Sequence, residues 1–242
     1  MNNHWELGGT LDLGTYPKNE RMQFSPSDLD NEANWKKVKS KSIWAEDSFD
    51  YKYNAQGFRS EWDFDPSIDK PILLALGCSH TVGVGIPGHD AWCHQLGKKY
   101  YSDHIVWNAG LGGGGADTVA RLAVNMIPIA KPKTVAILWP GMYRYERYPS
   151  DQRLPFLHGP WQMDKQMIDD KNIYNNQCKN KTIIQLLQKI YQFELLELDV
   201  DHVFDNNTKL HHPVDYPLAR DGAHSGSEWH IDVQEAMWSK YQ

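Results

Sequence analysis

Four short apolar runs, each leading into a stretch of helical spacing, limit what this chain can fold into. They are Ile72–Leu76, Ile105–Asn108, Val135–Trp139 and Leu195–Val200, and between them Asp90–Tyr101, Asp117–Ile129 and Thr182–Phe193 carry helical periodicity. Runs without polar alternation read as strands buried on both faces, and strand–helix alternation reads as a parallel sheet. Ala120, Val124 and Ile127 share one helix face, as do Ile183, Leu187 and Ile190. Ser227–Tyr241 reads as a closing helix with Ile231, Met237 and Trp238 available to pack. With 242 residues, one substantial core plus an extension is expected. Residues 1–70 are polar, aromatic and weakly periodic, so the expectation is an extension wrapped on a main unit at 71–242. That unit carries an aromatic- and proline-rich insertion at 141–180.

The net charge of −6 argues against nucleic acid as a partner. No apolar run is long enough to span a bilayer, and the start MNNHWELGG lacks the basic and apolar regions of a secretory signal. Cys78, Cys93 and Cys178 are too few and too scattered for a disulfide framework, so a reduced, cytoplasmic setting is expected.

The first strand run ends in Gly77-Cys78-Ser79-His80-Thr81, which puts a hydroxyl at the carboxyl end of a strand, where open α/β sheets build their sites. A serine that merely caps a helix is the plain alternative. The second run opens onto Asn108-Ala109-Gly110-Leu111-Gly112-Gly113-Gly114-Gly115, whose backbone N–H groups suit an anion or an oxyanion. Gly110, Gly112 and Gly115 also satisfy a dinucleotide fingerprint. Against that reading, this is the second strand–helix unit, and the next strand ends in Trp139-Pro140 without a ribose-binding acid. Near the end stand Arg220-Asp221-Gly222-Ala223-His224, and a second D-x-x-H, Asp199–His202, follows the fourth run.

In order, these blocks resemble those of the SGNH (GDSL-type) hydrolases. The resemblance implies a flavodoxin-like three-layer α/β/α sandwich with a parallel sheet. It implies Ser79 as nucleophile, His224 as general base, Asp221 as the group orienting the imidazole, and the backbone N–H groups of Ser79 and Gly113 as oxyanion donors, with Gly112 the neighbouring candidate. No cofactor is implied. A segment like Tyr51–Arg59 precedes the serine block in some members; Arg59 is expected to pair with Glu61 or Asp63 rather than reach the site. Where the family carries an oxyanion asparagine this chain has Met142, whose thioether donates no hydrogen bond. Tyr143 or Arg144 is expected to supply a donor, with pairing of Arg144 to Glu146 the alternative. Cys78, beside Ser79, is expected to face the core.

The function implied is a serine esterase for short acyl, notably acetyl, esters, with Tyr143, Arg144 and Trp161 in substrate binding and a carbohydrate favoured by the aromatic insertion. A non-catalytic module of the same fold is the alternative, and a dinucleotide-binding enzyme the third. His211 and His212 beside Asp221 and His224 form no recognisable metal motif.

Overall fold

The computed structural model describes residues 10–26, 29–38, 49–147, 156–159, 170–200 and 216–241. Its elements in chain order are β1 (Arg21–Met22), α1 (Glu32–Val38), β2 (Tyr51–Lys52), β3 (Ile72–Gly77), α2 (Ser79–Val82), α3 (Trp92–Tyr100) and β4 (Ile105–Asn108). They continue with α4 (Ala116–Ala130), β5 (Thr134–Trp139), β6 (Tyr145–Arg147), β7 (Phe156–His158), α5 (Asp170–Tyr191), β8 (Glu194–Asp199) and α6 (Ser227–Ser239). A short 3-10 turn, Gly88–Asp90, precedes α3.

The central sheet is wholly parallel, in the order β4-β3-β5-β8. Every residue of β3 and β5 is buried, which is why these strands read as unbroken apolar runs. Alternate residues point to opposite faces. Ile72, Leu74 and Leu76 pack with Val119, Leu122, Met126 and Ile127 of α4 and Ile184 of α5. Leu73 and Ala75 pack with Trp92, Cys93 and Leu96 of α3 and Trp229, Val233 and Met237 of α6. Helices α4 and α5 thus cover one face and α3 and α6 the other, giving a flavodoxin-like α/β/α sandwich. Each fully buried leucine here contributes about 1.5–3 kcal/mol relative to exposure.

The polar N-terminal region adds to the first of these cores. Leu13, Tyr16, Tyr51, Tyr53, Phe58 and Phe64 are all buried in it. Phe64 stacks on Trp107 of β4 at 4.8 Å between ring centroids.

Three details of the helices depart from the sequence reading. Helix α5 begins at Asp170 rather than Thr182, so the end of the expected insertion is helical. Its first half, DKNIYNNQCKNK, carries almost no apolar stripe and is instead held by polar contacts. Asn176 and Asn180 donate to Asp117 at 3.0 and 2.8 Å, and Lys181 pairs with Asp199 at 2.8 Å. The face α5 buries runs through Asn180, Ile184 and Leu187, while Ile190 is exposed. In α6, Ile231 is exposed; Trp229 and Val233 take the buried positions.

Candidate active site

Cys78 is fully buried, and Ser79 opens the short helix α2 directly after β3. The turn is pinned from the neighbouring loop. Asn108, at the end of β4, donates from its side-chain amide to Thr81 O at 2.8 Å and accepts from Gly110 N–H at 3.0 Å. Gly110 then lies so close to α2 that a Cβ there would stand 2.6 Å from Val82 N. No residue but glycine fits that approach.

His224 lies on the loop between β8 and α6. Its Nδ1 donates to Asp221 Oδ2, which leaves Nε2 to accept from the Ser79 hydroxyl at 2.8 Å. The other oxygen of Asp221 accepts the backbone N–H groups of Ala223 and His224, each at 3.0 Å. Burial of Asp221 opposes its charged form. The hydrogen bond and charge of His224, helped by those two N–H groups, outweigh it and hold the carboxyl below its ordinary pKa.

His80 sits edge-on to His224 at 5.2 Å between ring centroids and against Trp229 at 4.7 Å. Burial, then the charges of His224, His230 and Arg144, push its pKa well below 6.5. Its imidazole is therefore held in the neutral form near neutral pH. His230 is deeper still, only 1% exposed, and its Nδ1 accepts from Trp92 N–H at 3.2 Å. Burial, then the charges of His224 and Arg59, bring its pKa down to about 3.

These two histidines make stability pH-dependent. In the unfolded chain they take up protons near pH 6.5, whereas the folded protein resists until far lower pH. The unfolded state therefore binds more protons in that window, and stability falls as pH drops from about 6.5 toward 3. Each is expected to steepen the loss by up to about 1.4 kcal/mol per pH unit. Urea unfolding midpoints taken between pH 7 and 4 check this, and His230→Gln should flatten the slope.

The glycine loop between β4 and α4 is mostly engaged with the protein itself. Gly112 N–H donates to the Tyr16 hydroxyl at 2.8 Å, and the Arg144 carbonyl packs onto Gly115. With Gly110 set against α2, the glycines of the dinucleotide fingerprint make protein contacts rather than a phosphate cradle. Gly113 has a φ of 76°. Among the described residues, the N–H groups of Ser79 and Gly113 donate to no acceptor.

Arg59 corrects an expectation: its pairing lies with neither Glu61 nor Asp63. It is 4% exposed and donates to the carbonyls of Val82 (3.2 Å), Gly83 and Ile86 (2.8 Å), with its guanidinium 4.0 Å from the Tyr51 ring centroid. Asp63 instead accepts from Ala55 N–H at 2.9 Å. Arg59 so braces the carboxyl end of the helix that starts at Ser79, where orphan carbonyls favour a cation.

Sequence reasoning also missed the tie that holds the Asp221–His224 loop. Arg220, 1% exposed, donates to both oxygens of the fully buried Asp30 at 3.1 and 2.7 Å, and to the carbonyls of Gln23 and Phe49. Tyr51 hydroxyl donates to the same carboxylate and accepts Gly85 N–H at 2.7 Å. The position of Arg220 directly before Asp221 was the available signal.

Of the remaining candidates, Met142 is half-buried and Tyr143 is 38% exposed on the turn after β5. Arg144 is half-buried, and its charge is felt at His80. The carboxylate of Glu146 is gripped by Arg121 through Nε (2.9 Å) and Nη2 (2.8 Å). Trp161, His202, His211 and His212 lie outside the described residues. Among those described, no group of three side chains could hold a metal ion, and no helix is long and apolar enough to cross a membrane.

No protein-family model matches the chain, and no curated protein is significantly similar to it in sequence. Among solved structures it is similar to a candidate lipolytic protein of the G-D-S-L family from Desulfitobacterium hafniense DCB-2. The identity there is 15%, over 68% of this chain and 96% of that one, with a TM-score of 0.37. It is also similar to the psychrotrophic esterase EstA from Pseudoalteromonas sp., at 13% identity over 69% and 94% of the two chains and a TM-score of 0.38. A catalytic mutant of an acetylxylan esterase from Geobacillus stearothermophilus shows 17% identity over 70% and 93%, with a TM-score of 0.38. Identities and scores this low leave the functional reading to the chain's own geometry.

Proposed function

We propose that this chain is a serine esterase acting on short acyl esters through an acyl-serine intermediate. The observation that carries the reading is the unbroken hydrogen-bond relay from Ser79 through His224 to Asp221. In that relay Ser79 Oγ attacks the ester carbonyl while its proton passes to His224 Nε2. Asp221 holds the imidazole in the tautomer that can accept it and stabilises the imidazolium formed. The same proton goes to the departing alcohol; a water, deprotonated by His224, then releases the acid and frees Ser79. The backbone N–H groups of Ser79 and Gly113 serve the oxyanion.

Met142 cannot supply a further donor, and this favours a second reading, a non-catalytic module of the same fold. A labelled fluorophosphonate separates the two. An esterase takes up one label per chain at Ser79, whereas a protein left unlabelled after prolonged exposure is not a serine hydrolase.

Within the esterase reading, Arg144, on the turn after β5 two residues beyond Met142, takes the place of the missing donor. Arg144→Ala is expected to lower kcat and kcat/KM together by about a hundredfold. An unchanged kcat would remove Arg144 from the reaction. Tyr143 on the adjoining turn suits stacking on a sugar ring, and an acetylated carbohydrate is the substrate class favoured.

A further inference from the structure

A cavity of about 310 Å³ opens between the N-terminal region and the 3-10 turn after α2, and none of Ser79, Asp221 or His224 lines it. Arg59 does, together with Arg21, Lys52, His89 and His94; the acids in its wall are Asp50 and Glu61. Asp50 is occupied by Arg21 at 2.9 Å. Three cations therefore face two carboxylates, while His94, whose pKa burial lowers to about 4, adds no charge near neutral pH.

Arg59 is the unusual member of that wall. A buried charge is ordinarily paired with an opposite one, because desolvation of a lone ion is costly. Yet among the described residues Arg59 meets carbonyls and an aromatic face but no carboxylate. The buried acid nearest in kind, Asp30, is held by Arg220 and Tyr51. One terminal nitrogen of the guanidinium is engaged by the Val82 and Gly83 carbonyls and the other by the Ile86 carbonyl, and the third nitrogen, Nε, is buried with no hydrogen-bond partner among the described residues. Burial also lowers the pKa of the guanidinium from its ordinary value, and a bound negative charge would offset that.

We propose that this cavity binds an oxyanion, the carboxylate, sulfate or phosphate group of a small molecule, which accepts the Nε–H of Arg59. The volume admits a small organic acid or ester carrying such a group, at the low end of ordinary ligand pockets. None of the three relay residues lines this cavity, although Arg59 and Asn108, which hold the turn carrying Ser79, do.

The test follows the arginine side-chain Nε–H signals by ¹⁵N–¹H NMR. Inorganic phosphate, sulfate and acetate are titrated separately, with chloride at matched ionic strength as control. The signal that disappears in Arg59→Lys should shift and saturate with at least one oxyanion and not with chloride. The thermal midpoint should rise with the same ligand, as binding to the folded state alone requires. The arms that respond identify the anion class.

Because Arg59→Lys loosens the α2 brace as well, a second variant is needed. A Cβ on Gly88 would stand in ordinary van der Waals contact with the Arg59 guanidinium, 3.8 Å from one Nη and 3.9 Å from Nε, and no positive φ constrains that position. Gly88→Asp should therefore place a resident carboxylate at the site, keep the fold, and abolish the response to added oxyanion. Ser79→Ala should leave the response intact, so loss of esterase activity and loss of anion binding are told apart. An Arg59 signal that stays still in every titration, moves equally with chloride, or moves unchanged in Gly88→Asp overturns the proposal.

Discussion

Ser79→Ala is expected to abolish hydrolysis of p-nitrophenyl acetate, a loss of about 10⁴-fold or more, while the protein stays folded. Removing the nucleophile of a relay that acts as a unit costs nearly as much as removing the whole relay. Stability should hardly change, because only one oxygen is lost. His224 keeps its bond to Asp221, and with 13% of its side chain exposed it can take a water in place of the hydroxyl. A variant that hydrolyses at the wild-type rate shows that Ser79 is not the nucleophile. Cys78→Ser is then the next variant, although the thiol is wholly buried.

Asp30→Ala should produce the largest loss of stability. It leaves the Arg220 guanidinium buried without its counter-ion, and breaking such a pair from one side costs about 3–5 kcal/mol. For a chain of this size that corresponds to a thermal midpoint lower by roughly 6–20 °C. Calorimetry measures it directly, and an unaltered midpoint would mean that the pair contributes nothing. Replacing both partners with apolar residues, Asp30→Leu with Arg220→Met, should recover much of the loss, since the penalty comes from the stranded charge.

The sequence made the sheet legible for a plain reason. Strands buried on both faces are apolar along most of their length, so the runs Ile72–Leu76 and Val135–Trp139 are visible without any partner, and the strands extend one residue beyond each, to Gly77 and back to Thr134. Ser79, Asp221 and His224 stood out by the order of their blocks, and the structure brings them within hydrogen-bond reach of one another. Polar interactions between distant segments were hidden. Arg59 has acids two and four residues away, which made a local pair the natural expectation, but its acceptors are carbonyls 23 to 27 residues on. The Asp30–Arg220 pair has no periodicity to betray it, because a single long-range contact leaves no local pattern. The first half of α5 escaped for a related reason: its packing runs through asparagine amides rather than an apolar stripe.

Asp30 and Arg220 are 190 residues apart along the chain, and that separation has a consequence for the order of events during folding. Bringing remote segments together costs closure entropy before the contact returns any stability, so such contacts tend to form after local ones. The link that steadies the Asp221–His224 loop is therefore expected to close late, after the sheet has assembled. Interactions absent from the folding transition state act on escape from the native state rather than on arrival at it. Weakening this link should leave the refolding rate of the chain nearly untouched and accelerate its unfolding. The buried pair would then act as a latch on the lifetime of the assembled site.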